Sequence, residues 1–318
     1  MPLPPAIFLM GPTAAGKTEL ALELVKNLPV AIISVDSTMV YRGMDIGSSK
    51  PARRLRQAVP HRLIDILDPA ESYSAARFRE DALREMASIT AAGQIPLLVG
   101  GTGLYFRALE RGLAPLPDAN PAVRCRISQE AKIGGWGMLH ARLATLDPPL
   151  AARIHPNDPQ RIQRALEIIE LTGRPITEIF AATTAARLPY RVLKLAVSPG
   201  ERAILHQRIA TRFSRMLAEG LVSEVELLYN RPDLGLHCPA VRAVGYRQIW
   251  EYLAGKLDYL TMQDQAIVAT RQLARRQLTW LRTESAVQWI NTQAPDYTKQ
   301  ALQYCSSHLI NSEYHNYE

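Results

Sequence analysis

The sequence predicts an α/β fold in which a parallel sheet flanked by helices is interrupted by an all-helical insertion. Three observations carry that reading. Short apolar runs rich in β-branched residues alternate with helical patterns over residues 6–99, as strands feeding crossover helices do. The alternation stops over 118–187, where every pattern is helical, and resumes at Val192-Leu193-Lys194-Leu195-Ala196-Val197. The octet Gly11-Pro12-Thr13-Ala14-Ala15-Gly16-Lys17-Thr18 stands between an apolar run and a helical one, an arrangement that belongs at the carboxyl end of a parallel strand.

The first strand is expected over 6–10, continuously apolar because a parallel strand is buried on both faces. In the octet the glycines let the backbone curl until successive N–H groups point at one anion. The start of the following helix, 19–28, adds its positive end. A phosphate chain fits there. Gly11, Thr13, Ala14, Ala15 and Gly16 form the cradle, Lys17 carries a charge to the outer phosphate, and the Thr18 hydroxyl is placed to hold Mg²⁺ against it. Further strands are expected over 30–35, 62–67 and 95–99, with a helix from Ala75 to Ala92 that ends at Gly93. The insertion is entered after Pro115-Leu116-Pro117 and left near Leu188-Pro189, so that 1–117 and 188–318 form the sheet-bearing core and 118–187 a helical domain. After it, helices are expected over 201–219, 221–230, 239–254 and 261–282, then a closing strand over 286–290. The tail from Thr292 is polar, and its end is expected to fray.

A chain of 318 residues can bury a large core and suits two domains, or one domain carrying an insertion. The net charge of +7 is compatible with a polyanionic partner without requiring one. Cys125, Cys238 and Cys305 lie far apart, so neither a disulfide framework nor a Cys-x-x-Cys metal site is available. No leader pattern opens the chain, and no run approaches the ~18 apolar residues of a membrane span. A soluble cytoplasmic protein without a membrane partner is the expectation. His61, His140, His155 and His206 lack metal-ligand spacing, and no Gly-x-Ser-x-Gly or His-Glu-x-x-His motif supports hydrolase chemistry of those kinds.

Ligands of parallel sheets sit at the carboxyl ends of the strands, so the residues just after each strand carry the chemistry. Asp36 follows the second strand and faces the cradle, where a carboxylate could bind Mg²⁺ or take a proton from a nucleophile; a helix or turn cap is its plainer use. Gly100-Gly101-Thr102-Gly103 follows the strand at 95–99, lets a ligand approach the backbone and offers the Thr102 hydroxyl, or simply turns the chain and caps a helix. This strand ends in Gly-Gly, not in the Asp that a nucleotide-hydrolysing enzyme uses to hold magnesium. A diphosphate other than that of ATP therefore gains weight. Arginines gather in acid-poor clusters: Arg271, Arg275 and Arg282 on one helical face, Arg161 and Arg164 in the insertion, Arg242 and Arg247 around Tyr246. One such face is usually just solvated. Several on separate elements suit a phosphate backbone, with Tyr246 and Trp280 available for stacking or for the core.

The octet, Ile33-Ser34-Val35-Asp36-Ser37-Thr38-Met39 continuing through Tyr41-Arg42-Gly43-Met44-Asp45-Ile46-Gly47, Pro60-His61-Arg62-Leu63 and Gly100–Tyr105 recur with three more segments. These are Asp158-Pro159-Gln160-Arg161-Ile162-Gln163-Arg164, Arg242-Ala243-Val244-Gly245-Tyr246-Arg247 and Arg275-Arg276-Gln277-Leu278-Thr279-Trp280-Leu281-Arg282. Together and in order they closely resemble the bacterial tRNA dimethylallyltransferases. The resemblance implies a P-loop NTPase-like core and transfer of a dimethylallyl group from dimethylallyl diphosphate, with Mg²⁺, to N6 of the adenosine 3′ of the anticodon. Asp36, as general base, and Thr102 are its implied catalytic residues. Lys17, Thr18, Thr13 and Arg212 are implied on the diphosphate, with the rest of the octet as cradle. Residues 36–39, Thr102, Arg124, 160–164, 242–247 and 275–282 match segments that touch tRNA, the insertion clasping the anticodon stem-loop. A monomer is implied. Ala15 stands where many relatives carry Ser, and Met39 where many carry Gln. The chain lacks the Cys and His of the zinc finger that eukaryotic relatives append. An adenylate dimethylallyltransferase shares the cradle and Asp36 but needs none of the Arg clusters; a small-molecule kinase needs the missing strand-end Asp; a non-catalytic RNA-binding module needs no cradle.

Overall fold

The computed structural model describes residues 3–182 and 186–310; the expected fraying of the last residues, 311–318, lies outside them. In chain order the first part runs β1 (Pro5–Met10), α1 (Lys17–Asn27), β2 (Val30–Val35), α2 (Arg53–Ala58), β3 (His61–Arg62), α3 (Ala75–Ala91), β4 (Ile95–Gly100) and α4 (Gly103–Arg111). The helical stretch follows as α5 (Pro121–Leu146), α6 (Pro148–Ala151), α7 (Pro159–Thr172) and α8 (Ile176–Ala182). The chain then returns with β5 (Arg191–Ser198), α9 (Arg202–Ala218), α10 (Leu221–Tyr229), α11 (Tyr246–Leu253), α12 (Tyr259–Leu281), β6 (Val287–Asn291) and α13 (Tyr297–Ile310).

Six strands form one sheet in the order β3-β2-β4-β1-β5-β6, all parallel. Strand β1 lies in the middle and is buried on both faces, as its unbroken apolar sequence requires. Ala6, Phe8 and Met10 pack toward Phe78, Met86 and Phe106 of α3 and α4. Ile7 and Leu9 pack toward Leu20 and Leu24 of α1 and Ala301 and Cys305 of α13. Each fully buried side chain of this kind contributes about 1.5–3 kcal/mol. A further apolar cluster joins Val40, Tyr41 and Met44, after β2, to α9–α12 through Phe213, Val225, Ile249 and Met262.

Two compact units result: Met1–Glu110 with Leu188–Glu318, and Arg111–Arg187. The second begins a little before the boundary expected at 118. Its helices start at side-chain caps, Asn120 accepting from Ala122 and Val123, and Asp158 from Arg161, each followed by Pro at the first helical position. Helix α5 is broken at Gly135, whose φ is 78°. At its core the fully buried Glu167 carboxylate accepts from the Asn120 N–H at 2.7 Å, Arg124 Nε at 2.9 Å and Arg164 Nη1 at 2.8 Å.

Three elements differ from the sequence pattern. The strand expected over 62–67 forms a ladder at His61 and Arg62 and then just an isolated parallel bridge from Leu67 to Tyr41, because Leu63 and Asp65 take positive φ, 61° and 58°, and turn the chain between them. The Asp65 carboxylate holds that turn through Lys50 and Arg56, and this coulombic and hydrogen-bonded company keeps it below the usual carboxylate range despite partial burial. The helix expected over 239–254 begins only at Tyr246, since Gly245 has φ 91° and its N–H is taken by the Gln248 side chain at 2.9 Å. The tail instead forms α13, whose burial rests on Ala301 and Cys305, one turn apart, against the sheet.

Candidate active site

The carboxyl ends of β1, β2 and β4 and the helices α9 and α12 surround a cavity of about 1250 Å³. Its wall contains Thr13 to Thr18, Asp36, Thr38, Met39 and Arg212, so the sequence-predicted cradle, Gly11 excepted, and the carboxylate meet in one place. The octet curls as its composition requires: Gly16 has φ 95° and Ala14, without glycine's freedom, φ 62°. A non-glycine residue held there costs of order 1 kcal/mol and persists where the surroundings over-determine it.

Of the cations on this wall, Lys17 and Arg212 are the ones that burial perturbs. Lys17 Nζ donates to the carbonyls of Gly11 and Pro12, at 3.0 and 2.8 Å, so the ammonium folds back on its own loop. Burial, helped by the neighbouring Arg212, brings its pKa down from 10.5 to about 8, against the pull of Asp36. Burial likewise lowers Arg212, with Asp36 opposing, and its Nη1 donates to Thr13 Oγ1 at 3.4 Å. The wall as a whole carries Lys17, Lys50, Arg53, Arg56, Arg208, Arg212 and Arg215 against Glu19, Asp36, Asp45 and Glu219, a site short of negative charge, which is what a diphosphate supplies.

Asp36 Oδ1 accepts from the N–H groups of Thr38 at 2.8 Å and Met39 at 3.2 Å, which fixes the carboxyl group; Oδ2 has no hydrogen bond among the described residues. The turn-cap reading is thus realised at Oδ1, and Oδ2 is left over from it. Thr102 Oγ1 accepts from the Ser37 N–H at 3.2 Å and ties the loop after β4 to the loop after β2. The Thr18 hydroxyl lines the cavity with no hydrogen-bond partner among the described residues, and no trio of His, Cys, Asp or Glu able to hold a metal exists among them. Those donors fit Mg²⁺ in the manner of a phosphate-bound ion, which takes one or two protein oxygens and leaves the rest to phosphate and water.

Glu224 and Lys50 give no sequence signal beyond their position, and Gln277, within a segment assigned to RNA, is found in the cavity instead. Glu224, on α10, accepts from the N–H groups of Asp45, Ile46 and Gly47 at 2.8, 2.7 and 3.1 Å and from Tyr246 Oη at 2.6 Å. One carboxylate thus pins the loop that follows Asp36, and a Cβ on Gly47 would run into the Tyr246 ring at 2.5 Å. Lys50, its side chain 1% exposed, bridges Asp45 and Asp65 beside the same cavity. Gln277 turns into the cavity from α12 and spans two loops: Oε1 accepts from Thr13 N–H at 2.9 Å, and Nε2 donates to Gly101 O at 3.0 Å.

The residues assigned to RNA separate into exposed and buried sets. Arg242, Arg247, Arg275, Arg276, Thr279 and Arg282 are exposed, whereas Gly245, Tyr246 and Leu281 are buried, and Ala243, Val244, Leu278 and Trp280 are half-buried. Tyr246 is therefore core, not a stacking platform, and Trp280 lies against Phe106 with the rings 6.2 Å apart. Within the second unit Gln160 and Arg161 are exposed and Ile162 is fully buried. Gln163 bonds Arg124 O and Ser128 Oγ, and Arg124 and Arg164 are committed to Glu167, Arg164 also to Pro117 O. On the core unit Arg202, Arg271, Arg275, Arg282 and the exposed Trp289 line a groove of about 760 Å³ at the carboxyl ends of β5 and β6. Arg271, Arg275 and Arg282 make no ion pair among the described residues, and Arg271 Nε is buried without a partner.

Comparison with known proteins adds the following. The family model described as IPP transferase matches residues 39–284. The chain is 62% identical over 293 residues, 92% of each sequence, to a protein of Thioalkalivibrio sulfidiphilus named tRNA dimethylallyltransferase. Among solved structures it is similar to the full-length tRNA isopentenylpyrophosphate transferase of Bacillus halodurans, with a TM-score of 0.72, 35% identity and 99% of each chain covered. It is also similar to the tRNA delta(2)-isopentenylpyrophosphate transferase of Staphylococcus epidermidis, with a TM-score of 0.69, 31% identity and 97% and 99% of the two chains covered. A eukaryotic dimethylallyltransferase acting on tRNA shares the fold, at a TM-score of 0.80 and 24% identity, over 97% of this chain and 80% of that one.

Proposed function

The chain belongs to the IPP transferase family and is an enzyme of tRNA prenylation, and from that premise we propose which atoms carry the reaction. The donor is dimethylallyl diphosphate and the acceptor is N6 of the adenosine 3′ of the anticodon. The observation that carries this reading is the meeting of Lys17, Arg212 and the half-free Asp36 carboxylate in one cavity.

The donor's diphosphate lies against the cradle. Lys17 releases the Gly11 and Pro12 carbonyls to meet it, and Arg212 faces it from α9. As the bond between the allylic carbon and the bridging oxygen breaks, both electrons go to the diphosphate, and these fixed cations absorb the charge. Thr18 would hold Mg²⁺, which adds charge neutralisation at the same phosphates when bound. The adenine amine is a poor nucleophile because its lone pair is delocalised into the ring. Its attack on the allylic carbon places positive charge on N6, and Asp36 Oδ2 takes the proton, leaving the prenylated base and free diphosphate. The backbone N–H groups of Thr38 and Met39 on Oδ1 keep the carboxylate aimed. A base stacked in a loop cannot reach this cavity, so the adenosine flips out. The exposed arginines of α12 and the 242–247 segment receive the RNA backbone, and Arg161 of the second unit adds a further phosphate contact.

No helix among the described residues is long and apolar enough to cross a membrane. The enzyme acts as a monomer in the cytoplasm, where its tRNA is. The decisive experiment follows label from dimethylallyl diphosphate, with Mg²⁺, into unmodified tRNA and, in parallel, into AMP. Label at N6 of tRNA and none in AMP supports the reading, and label in AMP overturns the acceptor. For Asp36→Ala, tRNA affinity stays within about twofold while turnover falls about 10²–10⁴-fold, the range for a lost general base; an unchanged rate removes the assignment.

A further inference from the structure

We propose that Gln277 is the residue that restricts the cradle to diphosphates and turns away triphosphates, an inference that rests on the reading of the cradle as the donor's diphosphate site. A cradle built for a triphosphate offers its outer phosphate backbone N–H donors, the P-loop lysine and a metal held by a strand-end Asp. Here the Thr13 N–H is taken by Gln277 Oε1 at 2.9 Å, and the strand-end position of β4 is Gly100. The Gln277 amide is locked from both sides, because Nε2 donates to Gly101 O at 3.0 Å. There is no slack around it: a Cβ on Gly101 would lie 2.4 Å from Gln277 Nε2.

Around its amide Gln277 thus leaves acceptors, its own Oε1 and the Gly101 carbonyl, where a triphosphate cradle would present the Thr13 N–H, while the Arg212 guanidinium, 3.4 Å from Thr13 Oγ1, remains for the diphosphate. A third phosphate placed against Gln277 meets these two oxygens and cannot take the Thr13 N–H, so it loses water there without gaining that donor. An uncharged allyl group meets no such penalty, and positive charge developing on its reacting carbon is welcome among acceptor oxygens. Residues Thr270, Leu273 and Gln277 recur at i, i+3 and i+7 and share the cavity-facing side of α12, so the helix holds the amide at a fixed depth.

Calorimetric titration of the full-length protein with inorganic diphosphate and with inorganic tripolyphosphate, at fixed Mg²⁺, tests this. Charge alone favours tripolyphosphate, so a wild-type preference for diphosphate of about tenfold or more supports the inference. In Gln277→Ala that ratio shrinks by about tenfold; in Gln277→Glu, which keeps the size and adds a carboxylate, it widens. Opposite movements in two variants cannot come from a general loss of structure. An equal loss of affinity for both anions in both variants overturns the inference and leaves the cradle reading intact. Failure of wild type to bind diphosphate overturns the cradle reading, and this inference with it.

Discussion

The affinity of the cradle for an organic diphosphate falls as pH rises through about 8, because Lys17 in the free protein is held near that value by burial and by Arg212. A diphosphate beside the ammonium restores the charged form, so the bound protein keeps its proton to higher pH. The sign follows from linkage: affinity is complete below the free-state pKa and declines above it. With the free-state value at about 8, the loss is about twofold at pH 8, about tenfold at pH 9 and about a hundredfold at pH 10, until the pKa of the complex is reached. Nearby groups do not imitate this. His61, also on the cavity wall, is lowered by burial, and a phosphate monoester loses its last proton with a pKa of about 6, so both have finished titrating below the window of Lys17. The assay is titration of dimethylallyl diphosphate at pH 7 to 10, repeated in two buffers of different ionisation enthalpy. It should show uptake of about one proton per diphosphate bound above pH 8. Constant affinity from pH 7 to 9.5, or a decline without proton uptake, refutes the argument.

Three further outcomes follow from the contacts above. Tyr246→Phe deletes a buried hydroxyl that donates to Glu224 at 2.6 Å and costs about 1–3 kcal/mol by urea unfolding, with amide exchange rising at Asp45, Ile46 and Gly47; unaltered exchange at those amides counts against the role given to Glu224. Glu167→Gln costs about 3–5 kcal/mol in the second unit. Hydrogen bonds from Arg124, Arg164 and Asn120 outweigh burial and lower the Glu167 pKa, so its contribution is present above the unfolded value of 4.5 and lost as pH falls. Wild type and Glu167→Gln should therefore converge in melting temperature toward acid pH; a gap that persists at acid pH refutes this. Arg275→Ala weakens tRNA binding and makes its salt dependence shallower by about one unit of slope, and an unchanged slope removes the phosphate contact.

The sheet, the cradle and Asp36 were legible because each is written in local sequence. Continuous apolar runs mark buried parallel strands, and the octet sets its own backbone. The turn at Leu63–Asp65 was not, since the short apolar run over 62–67 looks like a strand, and what holds the bend is a pair of cations from an earlier segment, Lys50 and Arg56. Glu224 was invisible for a related reason: its partners are backbone N–H groups far away in sequence, which no side-chain pattern advertises. Helical periodicity placed Arg271, Arg275 and Arg282 on one face, but it could not tell that Gln277, two residues past Arg275, points into the cavity. Tyr246 and Ile162 sit within motifs read as RNA contacts yet are core, so their neighbours Arg247 and Arg161 present the motif to solvent while they anchor it.

Helix α12 has one flank on the donor cavity, through Thr270, Leu273 and Gln277, and the next on the arginine groove, through Arg271, Arg275 and Arg282. Because a helix turns and shifts as a rigid rod, the two flanks cannot be retuned separately. A substitution that rotates the rod by a few degrees to admit a bulkier prenyl chain also swings the arginines, so donor choice and RNA grip are inherited together. Laboratory selection for new donors should accumulate its tolerated changes on the loops after β1 and β2 and on α9, and leave this one helix almost untouched.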